Sequence, residues 1–266
     1  LITDLIPSAD EWFSGGRRVY FDSVNKRIVN TKQNDATYAV FERADIPSSS
    51  DARWVTFLPG FPDGSYGYAK IDKLLDDRNT NFPRLYIEYV GQGDSDTPPK
   101  SYTYSTMERA DLVEAQWRAH NVRNTVVVTF DYSSLVLMEL LRRQLDHVRI
   151  EHLLIINGGL FADGHTHPWS TTPLLQTRLG HMGARFAQHS NLMIQSMLKP
   201  LYSKSHRAKR QTTRYELREI AKAIRKHHGS SFMASAAGFV KEHRNNAERW
   251  NLESVYRSLL RIVARL

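Results

Sequence analysis

The sequence contains no cysteine. That excludes a disulfide framework, a thiol nucleophile and any cysteine-ligated metal site. A chain long enough to bury a sizeable core needs no such staples, so the compartment stays open. Long hydrophobic runs are missing as well. Nothing approaches the roughly 18 apolar residues of a membrane-spanning helix, and no transmembrane segment is expected. The opening residues, Leu1 to Leu5, carry neither an initiator Met nor a charged start before a long apolar stretch. They do not read as a secretory signal, and a chain opening on Leu reads as processed, trimmed or partial. Internal repeats, metal-ligand clusters and phosphate loops are also lacking. Gly91-Gln92-Gly93 has no third glycine at the spacing of a dinucleotide fingerprint. Neither a cofactor nor a metal is expected.

What is present is an ordinary globular composition. Of 266 residues, 41% are hydrophobic, 24% charged and 11% aromatic, which argues against disorder, collagen or a coiled coil. The length suits one large domain, or a core with an insertion. Lys and Arg number 36 against 28 Asp and Glu, a net charge of +8. The excess is concentrated: residues 201–266 hold 15 basic and 5 acidic residues, whereas residues 1–200 hold 21 and 23. One reading is a peripheral contact with a polyanion or an anionic membrane surface through Lys204, Arg207, Lys209 and Arg210. The plainer reading is the solvated face of surface helices plus one basic loop. The plainer one is preferred, because no aromatics are interleaved and no nucleic-acid motif occurs. No nucleic-acid partner is expected.

Short apolar or alternating runs closed by Gly, Pro, Asn or Asp predict strands over Arg18 to Phe21, Tyr38 to Glu42, Trp54 to Leu58, Arg84 to Tyr89, Thr125 to Thr129 and His152 to Ile156. The first two, joined through polar turns, read as an antiparallel start. The later ones alternate with helical segments, notably Met107 to His120 and Tyr132 to Leu145, so the fold class is α/β with a mostly parallel sheet. Thr125 to Thr129 is apolar on both parities, as a central strand covered on both faces should be. Beyond Phe161 only helices are expected: Arg185 to Leu198, with Phe186, Met193 and Met197 on one face, and Arg214 to His228, with Leu217, Ile220 and Ile224. A third is capped by Asn251 and carries the stripe Leu252, Val255, Leu259 and Val263. These stripes read as packing surfaces.

Three strand-end motifs follow in order: Leu58-Pro59-Gly60-Phe61-Pro62-Asp63-Gly64, then Glu88-Tyr89-Val90-Gly91-Gln92-Gly93-Asp94-Ser95-Asp96, then Thr129-Phe130-Asp131-Tyr132-Ser133-Ser134. Each alone is weak. Their order is specific, because loops at the carboxyl ends of parallel strands hold the sites of such folds. The third fits a nucleophile elbow, which needs small residues two before and two after the nucleophile. Framed on Asp131 these are Thr129 and Ser133; framed on Ser133 they are the bulkier Asp131 and Leu135. Asp also tolerates the left-handed backbone of an elbow better than most residues. Asp131 is thus the candidate nucleophile, against the plainer alternative that it merely caps the helix from Tyr132.

With these motifs the chain resembles the α/β-hydrolase superfamily, specifically its aspartate-nucleophile branch of epoxide hydrolases and haloalkane dehalogenases. The residues that carry the resemblance are Pro59-Gly60-Phe61-Pro62 (family pattern His-Gly-x-Pro), Gly91-Gln92-Gly93-Asp94-Ser95, Asp131-Tyr132, and Ile156-Asn157-Gly158-Gly159-Leu160-Phe161, where a cap opens. It covers essentially the whole chain, strongly to about residue 175 and loosely beyond. It implies an α/β-hydrolase core over residues 1–161, holding the first six strands, and an α-helical cap over residues 162–266. It further implies that Asp131 attacks an electrophilic carbon of a small apolar substrate and forms an alkyl ester. Backbone N–H groups of Phe61 and Tyr132 would form the oxyanion hole. Enzymes of this kind protonate an epoxide oxygen with cap tyrosines, for which Tyr202, Tyr215 and Tyr256 are available. Dehalogenases usually place Trp where Tyr132 stands, which tilts the expectation towards epoxide or ester chemistry.

The chain also departs from the family pattern. Pro59 replaces the His that orders the oxyanion loop, and Thr129 and Ser133 replace elbow glycines. The chain stops at Leu266, inside what reads as a cap helix, before the last strands and the catalytic His. The expectation is a truncated record in which Asp131 is alkylated without turnover. The strand His152 to Ile156 would then leave an open edge. None of the 11 His stands where the base belongs. His165, His167, His227 and His228 read as loop or helix-end residues, and Asn157 and Asp163 as turn residues. The altered loop and elbow support a second reading, a non-catalytic binding or scaffold member of the same fold.

Overall fold

The computed structural model describes residues 6–47, 53–62, 64–158, 182, 190–226, 238–239, 241–243 and 245–263. The 161/162 boundary, Phe161, Asp163, His165, His167, Phe186, His227 and His228 lie outside them.

Seven strands form one sheet: β1 (Arg17–Asp22), β2 (Arg27–Val29), β3 (Thr37–Asp45), β4 (Arg53–Leu58), β5 (Arg84–Ile87), β6 (Asn124–Phe130) and β7 (Arg149–Ile156), in the order β2-β1-β3-β5-β4-β6-β7. The polar turns between β1, β2 and β3 are short, and these strands pair antiparallel. From β4 onward each connection carries a helix, and β4 pairs parallel with both β5 and β6, as β6 does with β7. The short β2 is one more strand than the sequence suggests; three residues are too few to show alternation.

The crossover helices are α2 (Ala69–Asp77), α3 (Thr106–Ala119) and α4 (Ser133–Arg143), and a six-residue α1 (Ala9–Ser14) precedes β1. Side chains alternate across the strands and so feed two apolar layers. On one face Trp54, Leu58, Leu85, Ile87 and Val127 meet α3 and α4 through Leu112, Trp117, Leu135 and Val136. On the other, Phe41, Phe57, Tyr86 and Val128 meet Trp12 and Phe13 of α1, with Tyr66 and Tyr68. β6 is an interior strand between β4 and β7, one place in from the edge, with Val127 on one apolar layer and Val128 on the other, as its two-sided apolar pattern predicts. β7 is a sheet edge among the described residues, and its Leu153 and Leu154 are exposed.

Among the described residues four further α-helices follow: α5 (Asn191–Leu198), α6 (Lys204–Ala208), α7 (Arg210–Arg225) and α8 (Leu252–Val263). The inner faces of α5 and α7 form a separate cluster of Ile194, Leu198, Leu217, Ala221 and Ile224, against which Phe61 packs. Asn251 caps α8, its Oδ1 accepting the Glu253 N–H at 2.9 Å. α8 lies on α4, where buried Glu139 accepts hydrogen bonds from the Trp250 indole (3.0 Å) and the Arg249 Nε (2.9 Å). Opposing charges and the indole hold the Glu139 carboxyl low against the desolvation that would raise it.

Candidate active site

β4, β5 and β6 run side by side and parallel, so the loops after Leu58, Ile87 and Phe130 leave the same edge of the sheet. The chain must turn from β6 into α4 within two residues. It does so by placing Asp131 in the left-handed region, with φ at +57°. Its N–H donates to the Ile156 carbonyl of β7 (3.0 Å), and its own carbonyl accepts from the Ser134 N–H (3.1 Å) and the Ser134 hydroxyl (2.8 Å). No side chain caps α4: the N-cap is Tyr132, in right-handed geometry. The Asp131 carboxylate instead accepts the Phe61 N–H, at 3.3 Å to Oδ2. Asp131 and Phe61, 70 residues apart in sequence, therefore meet at one point.

The loop that brings Phe61 there is tightly built. The Phe61–Pro62 peptide is cis. Gly60 lies so close to the Phe130 ring that a Cβ would stand 2.0 Å from it, which only glycine avoids. Ser133, which stands where the family pattern has an elbow glycine, holds this turn. Ser133 is fully buried, and its hydroxyl donates to the Pro59 carbonyl while standing 2.8 Å from the Tyr89 hydroxyl. Pro59 has no side-chain hydrogen-bonding group to order the loop, and Ser133 ties its carbonyl in place. Burial first, then the adjacent Asp131 carboxylate, pushes the Tyr132 phenol above its ordinary value. The Tyr132 ring stacks on Phe239, with centroids 5.0 Å apart, and the buried Arg109 guanidinium lies 3.4 Å from the Phe239 centroid. Desolvation lowers Arg109 to about 10.

Glu88, at the end of β5, is a part of the site that sequence reasoning left without a role. It is fully buried, and its carboxylate accepts the Ser65 N–H (3.1 Å), the Ser65 hydroxyl (2.8 Å) and the Asp94 N–H (2.8 Å). It thereby links the loop carrying Phe61 to the loop after β5. Ser65 also accepts the Trp12 indole N–H at 3.0 Å, which joins α1 to the same chain of bonds. Burial raises the Glu88 carboxyl to about 7, against the lowering effect of these hydrogen bonds. An acidic residue within the predicted strand Arg84 to Tyr89 was the available signal.

Of the tyrosines named from sequence, Tyr202 packs in the same α5–α7 cluster as Phe61 and stacks on His206 at 4.8 Å. Tyr215 packs instead beside the α1 cluster, and Tyr256 is exposed on α8. Asn157, after β7, is also left-handed, with φ at +51°. Two of the described histidines pair with buried acids away from Asp131, His120 with Glu42 at 3.0 Å and His206 with Glu216 at 2.6 Å. One carboxylate group of metal-like spacing occurs among the described residues, Asp45, Asp72 and Asp76. Arg84 pairs with all three, and Arg43 with Asp72, so guanidinium groups fill it. No described helix is long and apolar enough to cross a membrane.

No family model and no curated protein matches the sequence. Solved structures do match the fold. Cfl2 from Burkholderia cenocepacia superposes with a TM-score of 0.57 at 16% identity, over 80% of this chain and 71% of that one. Haloalkane dehalogenase DbeA from Bradyrhizobium elkani gives 0.57 at 18% identity, over 84% and 72%. An enantioselective mutant of the epoxide hydrolase from Aspergillus niger gives 0.57 at 14% identity, over 84% and 62%. The chain thus spans 62 to 72% of the length of these three structures. The architecture is the α/β-hydrolase fold, and at such identities the likeness extends to the fold alone.

Proposed function

We propose that the chain is a hydrolase of epoxide-hydrolase type, in which Asp131 is the nucleophile. The observation that carries this reading is the left-handed Asp131 between a buried strand and its helix, with its carboxylate turned to the Phe61 N–H. In the proposed step an Asp131 oxygen forms a bond to a ring carbon of the epoxide. The bond from that carbon to the ring oxygen breaks, and the oxygen takes up a proton to become a hydroxyl. Tyr202 is the proton donor favoured by position, since it shares a cluster with Phe61. The alkyl ester that results would then be opened by water through a tetrahedral intermediate, whose oxyanion the N–H groups of Phe61 and Tyr132 would stabilise. The lid cluster of α5 and α7 supports a small apolar substrate, and residues 162–266 serve as the cap in this reading. A finer likeness, to the mesoderm-specific transcript protein, rests on the run Ile156 to Phe161.

Exposure to a reactive aryl epoxide, an acid quench that traps the ester before water opens it, and intact mass together test the proposal. A single adduct on the wild-type chain that is absent from Asp131→Asn is the expected result. Equal labelling of the two proteins would exclude Asp131 as the nucleophile.

A further inference from the structure

The cations of the carboxyl-terminal quarter are ordered in a way their sequence does not announce. From Lys199 to Lys226 the chain has ten Lys and Arg and two acids, Glu216 and Glu219. Both acids are buried. Glu216 binds His206 (2.6 Å) and Lys70 (3.6 Å), and Glu219 accepts the Ala9 N–H of α1 at 3.1 Å. The exposed residues of α7 are Arg210, Gln211, Arg214, Arg218 and Lys222. Four of these recur at every fourth position, which aligns them in a row about 6 Å apart along the axis. Arg218 and Lys222 share Glu219, each at 3.1 Å, whereas Arg210 and Arg214 make no ion pair among the described residues. Exposed Lys204 and Lys209 continue the positive charge on α6.

One apolar side chain accompanies this row. Leu192 of α5 is 78% exposed. It lies beside the carboxyl-terminal end of α7, where Asn191 accepts a hydrogen bond from Arg225 at 2.6 Å. The other face of α7 is the lid cluster against Phe61. A row of cations with an exposed leucine at its end suits a surface that is anionic outside and apolar within, as a bilayer is. A single-strand nucleic-acid site would place aromatic rings among its cations, and none of the exposed residues of α7 is aromatic.

We infer that the outer face of α7, with Leu192, docks the protein on an anionic lipid bilayer. The contact centres on Arg210 and Arg214 rather than on Lys204 and Arg207. Docking does not depend on the chemistry assigned to Asp131, and its test requires no turnover.

The test is co-sedimentation of the chain with vesicles of equal parts phosphatidylcholine and phosphatidylserine, with phosphatidylcholine alone as control. Binding to the mixed vesicles only, falling as salt rises, is expected. Each basic side chain at such a surface strengthens binding roughly fivefold, so Arg210→Gln with Arg214→Gln should weaken it about 25-fold. Both positions are exposed, so circular dichroism should show the variant folded. Leu192→Ser should weaken vesicle binding several-fold while leaving retention on heparin unchanged. Equal binding to neutral vesicles, or binding unaltered in the double variant, would overturn the inference. Retention on a single-stranded oligonucleotide without vesicle binding would overturn it in favour of nucleic acid.

Discussion

The loops after β5 and β6 leave the same edge of the sheet, and each carries a carboxylate, yet they treat it in opposite ways. Glu88 is sealed: it has no exposure, three donors surround it, and its carboxyl is raised to about 7. Asp131 is only partly buried, at the head of a helix, and its backbone is held in a conformation that few residues tolerate. The first carboxylate organises loops, while the second has its backbone held left-handed and its side chain set against the Phe61 N–H. The difference teaches that strain and exposure, rather than charge alone, distinguish the carboxylate proposed to react from the one that braces.

The largest effect should come from closing the space around the sealed carboxylate. Gly93 has a φ of +46°, and a Cβ there would stand 1.9 Å from Glu88 Oε2. Gly93→Ala should cost about 4 kcal/mol in urea unfolding, combining backbone strain with displacement of a buried carboxyl. Next comes pH. The folded Glu88 carboxyl titrates near 7, above its unfolded value, so its contribution to stability is greatest below about pH 4.5 and is lost as pH rises to about 7. The loss is about 3 kcal/mol. The stability difference between wild type and Glu88→Gln should change across that window and stay level above it; a constant difference would show Glu88 to be unshifted.

A smaller effect belongs to the bond between the two loops. Ser133→Ala removes the hydroxyl shared by Pro59 and Tyr89, with an expected cost of about 1–2 kcal/mol. It should also slow epoxide labelling of Asp131 without abolishing it. Labelling at the wild-type rate would mean that Ser133 does not position the Phe61 loop. Smallest of all in stability should be Asp131→Asn, within about 1 kcal/mol, because Asn also accepts a left-handed backbone and the position is partly solvated.

Much of this region is legible in the sequence because local chemistry dictates it. Thr129 to Ser134 reads as a sharp turn from a buried strand into a helix, and φ at Asp131 agrees. The parallel pairing of β4 with β5 and β6, and of β6 with β7, follows from alternation of strand and helix. What escapes is either too short or too distant. β2 has three residues, and α1 has six, although the capping box of Ser8 with Glu11 marks its start. The role of Glu88 depends on Ser65 and Asp94, which reach it from two separate loops. The tie from Ser133 to the Pro59 carbonyl joins residues 74 apart, which local sequence does not announce. The row on α7 is present in the sequence as a periodicity, but only burial of Glu216 and Glu219 shows that its outer face exposes no acidic residue.

The account rests most heavily on the Asp131 carboxylate, and peptide mapping of the epoxide-treated chain by tandem mass spectrometry examines it most directly. The predicted result is an ester on the Asp131 side chain at one equivalent per chain, with Glu88 unmodified. An adduct spread over exposed carboxylates, or one seated on Glu88, would contradict it.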